Sequence, residues 1–125
     1  GIQHPRKKTN EIIAVLQVKN KAVVTSGDYE QFFILNGKRY HHILDPKTGF
    51  PSENCISVTV IAPTTLEADA FSTALFLLKP EEAITLADET PDLETIIYTQ
   101  ENEKIVSNYS KNMDKYLEKN STEIP

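Results

Sequence analysis

Apolar and polar positions alternate along the first half of the chain and give way to helical spacing in the second. Residues 11–18, Glu-Ile-Ile-Ala-Val-Leu-Gln-Val, read as a strand. A polar Asn20-Lys21 break separates them from a short strand at residues 22–25, and the two are expected to form a hairpin. Ser26-Gly27-Asp28 reads as a turn and residues 31–35 as a third strand. Asn36-Gly37 is a two-residue hairpin signal, because both residues tolerate positive φ, so residues 39–44 should pair back as a fourth strand. Asp45-Pro46-Lys47-Thr48-Gly49 is rich in turn formers. The β-branched run at residues 55–62 suits a central strand, and Cys55 within it reads as a small buried hydrophobe.

Pro63 ends that strand, and Thr64-Thr65-Leu66-Glu67 fits a capping box with Thr64 as the N-cap. In the helix that follows, Phe71, Ala74, Leu75 and Leu78 are expected to form the apolar stripe, with Asp69, Ser72 and Thr73 on the opposite side. Pro80 opens a second helix over residues 81–88, ended before Pro91. Residues 93–99 and 104–107 read as strands around the polar turn Gln100-Glu101-Asn102-Glu103. Residues 109–119 suit a short terminal helix, and residues 120–125 a loose polar tail. There is no internal repeat or low-complexity tract. Strands dominate and helices come late, so the class is α+β, a mainly antiparallel sheet with one or two helices packed on it.

A chain of 125 residues is one domain's worth. A formal net charge of −5 argues against nucleic-acid binding, and Arg6-Lys7-Lys8 reads as a solvated end. The single cysteine excludes an intrachain disulfide. No signal peptide or apolar membrane span is visible, and the Gly1-Ile2-Gln3 start reads as a fragment boundary.

Three groups of residues could carry chemistry. Asp69, Ser72 and Thr73 sit at i, i+3 and i+4, which share a helix face. One carboxylate and two hydroxyls form a hard-oxygen patch suited to Mg²⁺, which takes one or two carboxylates and fills its shell with water and substrate phosphates. The plain alternative is a solvated polar face. Ala70 and Ala74 beside the trio would let a ligand approach closely, and a face built only for stability would more often use Glu, Lys or Arg. His41 and His42 are adjacent in a strand and so point to opposite faces. One reading is a packed histidine beside a surface one; the other is a proton-handling group near a substrate. The turns around Ser26-Gly27 and Pro46 are either ordinary tight loops or presenters of backbone N–H groups to an anion or flavin edge.

At these residues a resemblance enters. Thr25-Ser26-Gly27-Asp28-Tyr29, then Tyr40-His41-His42-Ile43-Leu44-Asp45-Pro46-Lys47-Thr48-Gly49-Phe50-Pro51, then Ala68-Asp69-Ala70-Phe71-Ser72-Thr73-Ala74 occur in order. They resemble the C-terminal half of the FAD:protein FMN transferase (ApbE) family over roughly residues 1–108, with HHILDPKTG the most specific string. The resemblance implies FAD as substrate, Mg²⁺ as cofactor, and transfer of FMN to a threonine of an acceptor flavoprotein with release of AMP. It puts the metal on Asp69 and Thr73, with Ser72 in or near the same shell. Flavin contacts fall at Ile43, His41, Ser26 and Gly27, and His42 is the candidate catalytic base. It also implies an exported, membrane-anchored lipoprotein in the full-length form. The family's N-terminal half has no counterpart here, so residues 1–119 are expected to be the C-terminal part of the transferase domain. Such a part could pair with the missing half or with itself. Leu77-Leu78-Lys79-Pro80 stands where the family has a glycine after the metal helix. Hydrolysis of FAD to FMN and AMP, or a non-catalytic flavin-binding scaffold, are the alternatives.

Overall fold

The computed structural model describes residues 1–6, 11–28, 32–35, 38–41 and 55–118. Its centre is a four-stranded antiparallel sheet of β3 (Ala22–Gly27), β6 (Ser57–Ala62), β7 (Glu94–Glu101) and β8 (Lys104–Tyr109), in the order β3-β6-β7-β8. Two further strand pairs are β1 (Ile2–Gln3) with β2 (Ile12–Ala14), and β4 (Phe32–Leu35) with β5 (Lys38–His41). Helices α1 (Thr65–Phe76) and α2 (Pro80–Glu89) connect β6 to β7. The α+β class and antiparallel pairing follow the sequence pattern.

β6 is buried along its whole length, as its β-branched run requires of a strand covered on both faces. Its alternate residues supply two cores. Val58, Val60 and Ala62 pack with Ala68, Leu75, Phe76, Ala83, Ala87 and Ile97 under the helices. Ile61 faces the other way, into a cluster with Ile2, Ile13, Ala14, Ile96, Tyr98 and Met113. On that second face Ser57 and Tyr98 stand opposite each other in register. Their hydroxyls are buried without a hydrogen-bond partner, an arrangement that a bridging water would satisfy.

Two expectations change. β2 and β3 do not form a hairpin: β2 pairs with β1, and β3 pairs with β6 along six residue pairs from Ala22↔Ala62 to Gly27↔Ser57. Short apolar strands carry little partner information, and β3 gains more by lying beside the buried β6. The helix expected over residues 109–119 is a single 3₁₀ turn, Met113–Lys115, because β8 runs on to Tyr109 and Ser110 is anchored to β7. The Ser110 hydroxyl accepts the Thr95 N–H at 3.0 Å and donates to the Glu94 carboxylate. The β4–β5 register, Leu35↔Lys38, matches a two-residue connection. The β7–β8 turn narrows to Asn102 and Glu103, both at positive φ. The tail at residues 120–125 lies outside the described residues.

Candidate functional site

α1 begins where the capping signal placed it. Thr64 is extended (φ −128°, ψ 158°), and its hydroxyl accepts the Glu67 N–H at 3.2 Å while bonding the Glu67 carboxylate at 3.2 Å. The helix then lies on β3 and β6, burying Ala68, Ser72, Leu75 and Phe76. That i, i+4, i+7, i+8 stripe is rotated from the expected one, and it splits the polar trio. Asp69 and Thr73 are exposed, together with Ala70 and Ala74. Ser72 is fully buried and belongs to the packed face, so the three residues do not share one solvent-facing patch.

The Ser72 hydroxyl has structural partners instead. It lies 2.9 Å from the Ser26 hydroxyl of β3 and donates to the Asp69 carbonyl at 2.9 Å. With Ser26 donating to Ser72, one chain of hydrogen bonds runs from the end of β3 into the Asp69 turn of α1. Sequence spacing could not distinguish a serine that faces solvent from one that meets a second serine across a helix–sheet contact.

Ser26 and Gly27 are the last residues of β3 rather than part of a turn. Next to them Asp28 is 6% exposed, and its backbone N–H donates to the Ile56 carbonyl at 3.1 Å. Arg6 grips its carboxylate with both ends of the guanidinium, each at 2.7 Å. The same guanidinium donates to Gln100 Oε1 at 3.1 Å and to the Pro5 carbonyl at 2.9 Å. No local pattern marks this cluster: in sequence Arg6 reads as part of a solvated basic end. Its partners are 22 and 94 residues away.

His41 is the last residue of β5, paired with Phe32. His42 and Ile43 lie outside the described residues, as does the Asp45-Pro46-Lys47-Thr48-Gly49 loop. Cys55 is buried and donates weakly to the Phe76 carbonyl at 3.5 Å. Burial above all, and then the negative charge of Asp28, push its thiol up to about 12. A thiol held neutral in this way is packing, as expected, and not a nucleophile at neutral pH.

Among the described residues no three His, Cys, Asp or Glu side chains converge on one point. Of the three candidate metal ligands on α1, two are exposed, the Asp69 carboxylate and the Thr73 hydroxyl one turn later. Two hard oxygens on an exposed, small-residue face fit Mg²⁺, provided that water and ligand phosphate complete the shell. The same pair would make a poor Zn²⁺ site, which wants three or four protein ligands including nitrogen or sulfur. A separate cleft of about 400 Å³ opens between α2 and the β7–β8 hairpin. Pro80, Glu81, Ile84, Thr99 and Asn108 are among its lining residues, and none of the candidate site residues is.

Comparison with known proteins agrees with the motifs. The profile of the ApbE family matches residues 1–97. The FAD:protein FMN transferase of Escherichia coli K12 is 50% identical over 84 residues, covering 66% of this chain and 24% of that protein. A FAD:protein FMN transferase of Klebsiella pneumoniae strain 342 is 38% identical over 108 residues, covering 86% of this chain and 34% of that protein. Among solved structures, the ApbE protein of Thermotoga maritima superimposes with a TM-score of 0.79 at 33% identity, covering 95% of this chain and 38% of that one. The apo flavinyl transferase ApbE of Pseudomonas stutzeri gives 0.68 at 35% identity, over 83% of this chain and 35% of that one. The chain thus spans between 24% and 38% of the length of these relatives.

Proposed function

The chain belongs to the ApbE family, and from that premise we propose that it forms part of an FMN transferase. Its substrate is FAD, its acceptor is a threonine of a flavoprotein, and its leaving group is AMP. The observation that supports this reading best is the exposed pair Asp69 and Thr73, one helical turn apart beside two alanines. A carboxylate and a hydroxyl presented in this way, with no ion pair among the described residues to occupy Asp69, suit a divalent cation that shares its shell with a pyrophosphate.

Asp69 and Thr73 would hold Mg²⁺ there, and the bound cation would offset the negative charge that builds on the pyrophosphate oxygens. The remaining work falls to the chain's own residues. His42 accepts the proton of the attacking threonine hydroxyl, and Ile43, His41, Ser26 and Gly27 orient the flavin end of FAD. Ser72 stands behind the turn and fixes it to β3 through Ser26. No covalent enzyme intermediate is needed, and Cys55, held neutral, offers none.

The test is incubation of the protein with FAD, Mg²⁺ and an acceptor flavoprotein domain, followed by in-gel flavin fluorescence of the denatured acceptor. Covalent fluorescence on the acceptor that depends on Mg²⁺ supports transfer. Free FMN and AMP with an unlabelled acceptor would replace the transferase reading with a pyrophosphatase. The His42→Ala variant should slow transfer more than it weakens FAD binding.

A further inference from the structure

We propose that Arg6 is a positioning residue for the Asp69–Thr73 turn, acting through Asp28 and the Ser26–Ser72 contact. The guanidinium commits four of its five N–H groups: two to Asp28, one to Gln100 and one to the Pro5 carbonyl. A fork of this kind fixes direction as well as distance, and the Asp28 and Arg6 side chains are only 9% and 22% exposed. β3 and β7 are not neighbours in the sheet; β6 lies between them. Arg6 therefore joins Asp28, the residue just past β3, to Gln100 of β7, and ties both to the N-terminal segment.

The bridge ends beside the candidate site. Asp28 directly follows Gly27, and one residue earlier Ser26 meets Ser72 at 2.9 Å. Ser72 in turn bonds the carbonyl of Asp69. Among the described residues β3 is an edge strand of its sheet, held on one side by β6 and from above by α1. At its end the backbone bond from the Asp28 N–H to the Ile56 carbonyl is backed by the Arg6 fork on the Asp28 carboxylate. A shift there would first lengthen the Ser26–Ser72 bond, and the α1 turn carrying Asp69 and Thr73 would lose its hydrogen-bonded tie to β3. A lysine at position 6 keeps the charge but not the fork, so it should not restore this function.

Amide hydrogen exchange tests the coupling without relying on turnover. Arg6→Lys and Asp28→Asn should each speed exchange about tenfold in residues 26–28 and also in residues 69–73, the loss expected for a part-buried charge-assisted pair. Exchange in α2 should not change. Acceleration confined to residues before 29, with residues 69–73 at parental rates, overturns the proposal and makes Arg6 a local staple. If Arg6→Lys is too unstable to measure, Asp28→Asn carries the same comparison. The consequence for turnover rests on the functional reading above: in Arg6→Lys the Mg²⁺ concentration for half-maximal FMN transfer should rise, and the KM for FAD should rise with it because Ser26 and Gly27 lose the same support. Exchange coupling in a protein that transfers no FMN would sink that reading and leave the clamp standing. Transfer without coupling would do the reverse.

Discussion

Ser72→Ala removes one oxygen from a fully enclosed position on α1. That oxygen makes two hydrogen bonds of 2.9 Å, to the Ser26 hydroxyl and to the Asp69 carbonyl. Each neutral bond contributes about 1 kcal/mol net, and the Ser26 hydroxyl loses its partner in a partly buried position. Alanine returns about 0.5 kcal/mol through its higher helix propensity. The expected outcome is a loss of about 1.5 kcal/mol, within a range of ~0.5–2.5 kcal/mol. Urea unfolding followed by circular dichroism reads this as a lower midpoint at unchanged m. Had Ser72 faced solvent as a metal-binding hydroxyl, the same change would leave stability level or slightly raised and would weaken cation binding instead. A midpoint that stays or rises would refute the inward orientation of Ser72 and the hydrogen-bond chain built on it.

Other substitutions probe separate parts of the fold. Phe76→Ala empties a fully buried position under α1 and should cost about 3–5 kcal/mol by denaturant titration; a loss below ~1.5 kcal/mol would contradict a tightly packed helix–sheet core. Glu103→Gly relieves a left-handed residue at φ 71° in the β7–β8 turn and should raise stability by about 1 kcal/mol, so a fall in the thermal midpoint would count against that turn. Cys55 gives the pH dependence. Its folded pKa is raised to about 12 by burial and by Asp28, so the native state keeps the proton that the unfolded chain releases above ~8.5. That stability is fully present below ~8.5 and falls as pH rises toward the folded value, by at most ~1.4 kcal/mol per pH unit. Cys55→Ala should flatten the alkaline decline, and parallel profiles for the two proteins would rule out this ionisation. Tyr98, raised by burial, adds a decline of the same sign that persists in the variant.

Much of the fold was legible in residue patterns. The buried run at residues 55–62 announced the central strand, Thr64 and Glu67 announced the start of α1, and Pro80 that of α2. These are local signals backed by local physics, namely β-branching, capping and a fixed φ. Strand partners were not legible: β2 chose β1, and β3 chose β6, because the choice depends on which apolar face finds cover. The helical phase of α1 failed for a related reason. Ala68, Ser72, Leu75 and Phe76 form as regular a stripe as the one expected, but a serine in it looked out of place until Ser26 supplied a partner. Asp69 and Thr73 were legible only as members of a trio, because the spacing that sets them one turn apart also put Ser72 on their face, and Ser72 is buried. Arg6 was illegible, since nothing near it in sequence hints at Asp28 or Gln100.

The most direct measurement is FMN transfer by Asp69→Ala beside the unsubstituted protein, with FAD, Mg²⁺ and an acceptor flavoprotein domain. Asp69 is exposed and bears no packing, so its removal should change stability by no more than about 0.5 kcal/mol. The expected result is a folded variant that leaves the acceptor without covalent flavin, while the unsubstituted protein labels it. Labelling by Asp69→Ala at the parental rate would contradict a cation held on this turn of α1.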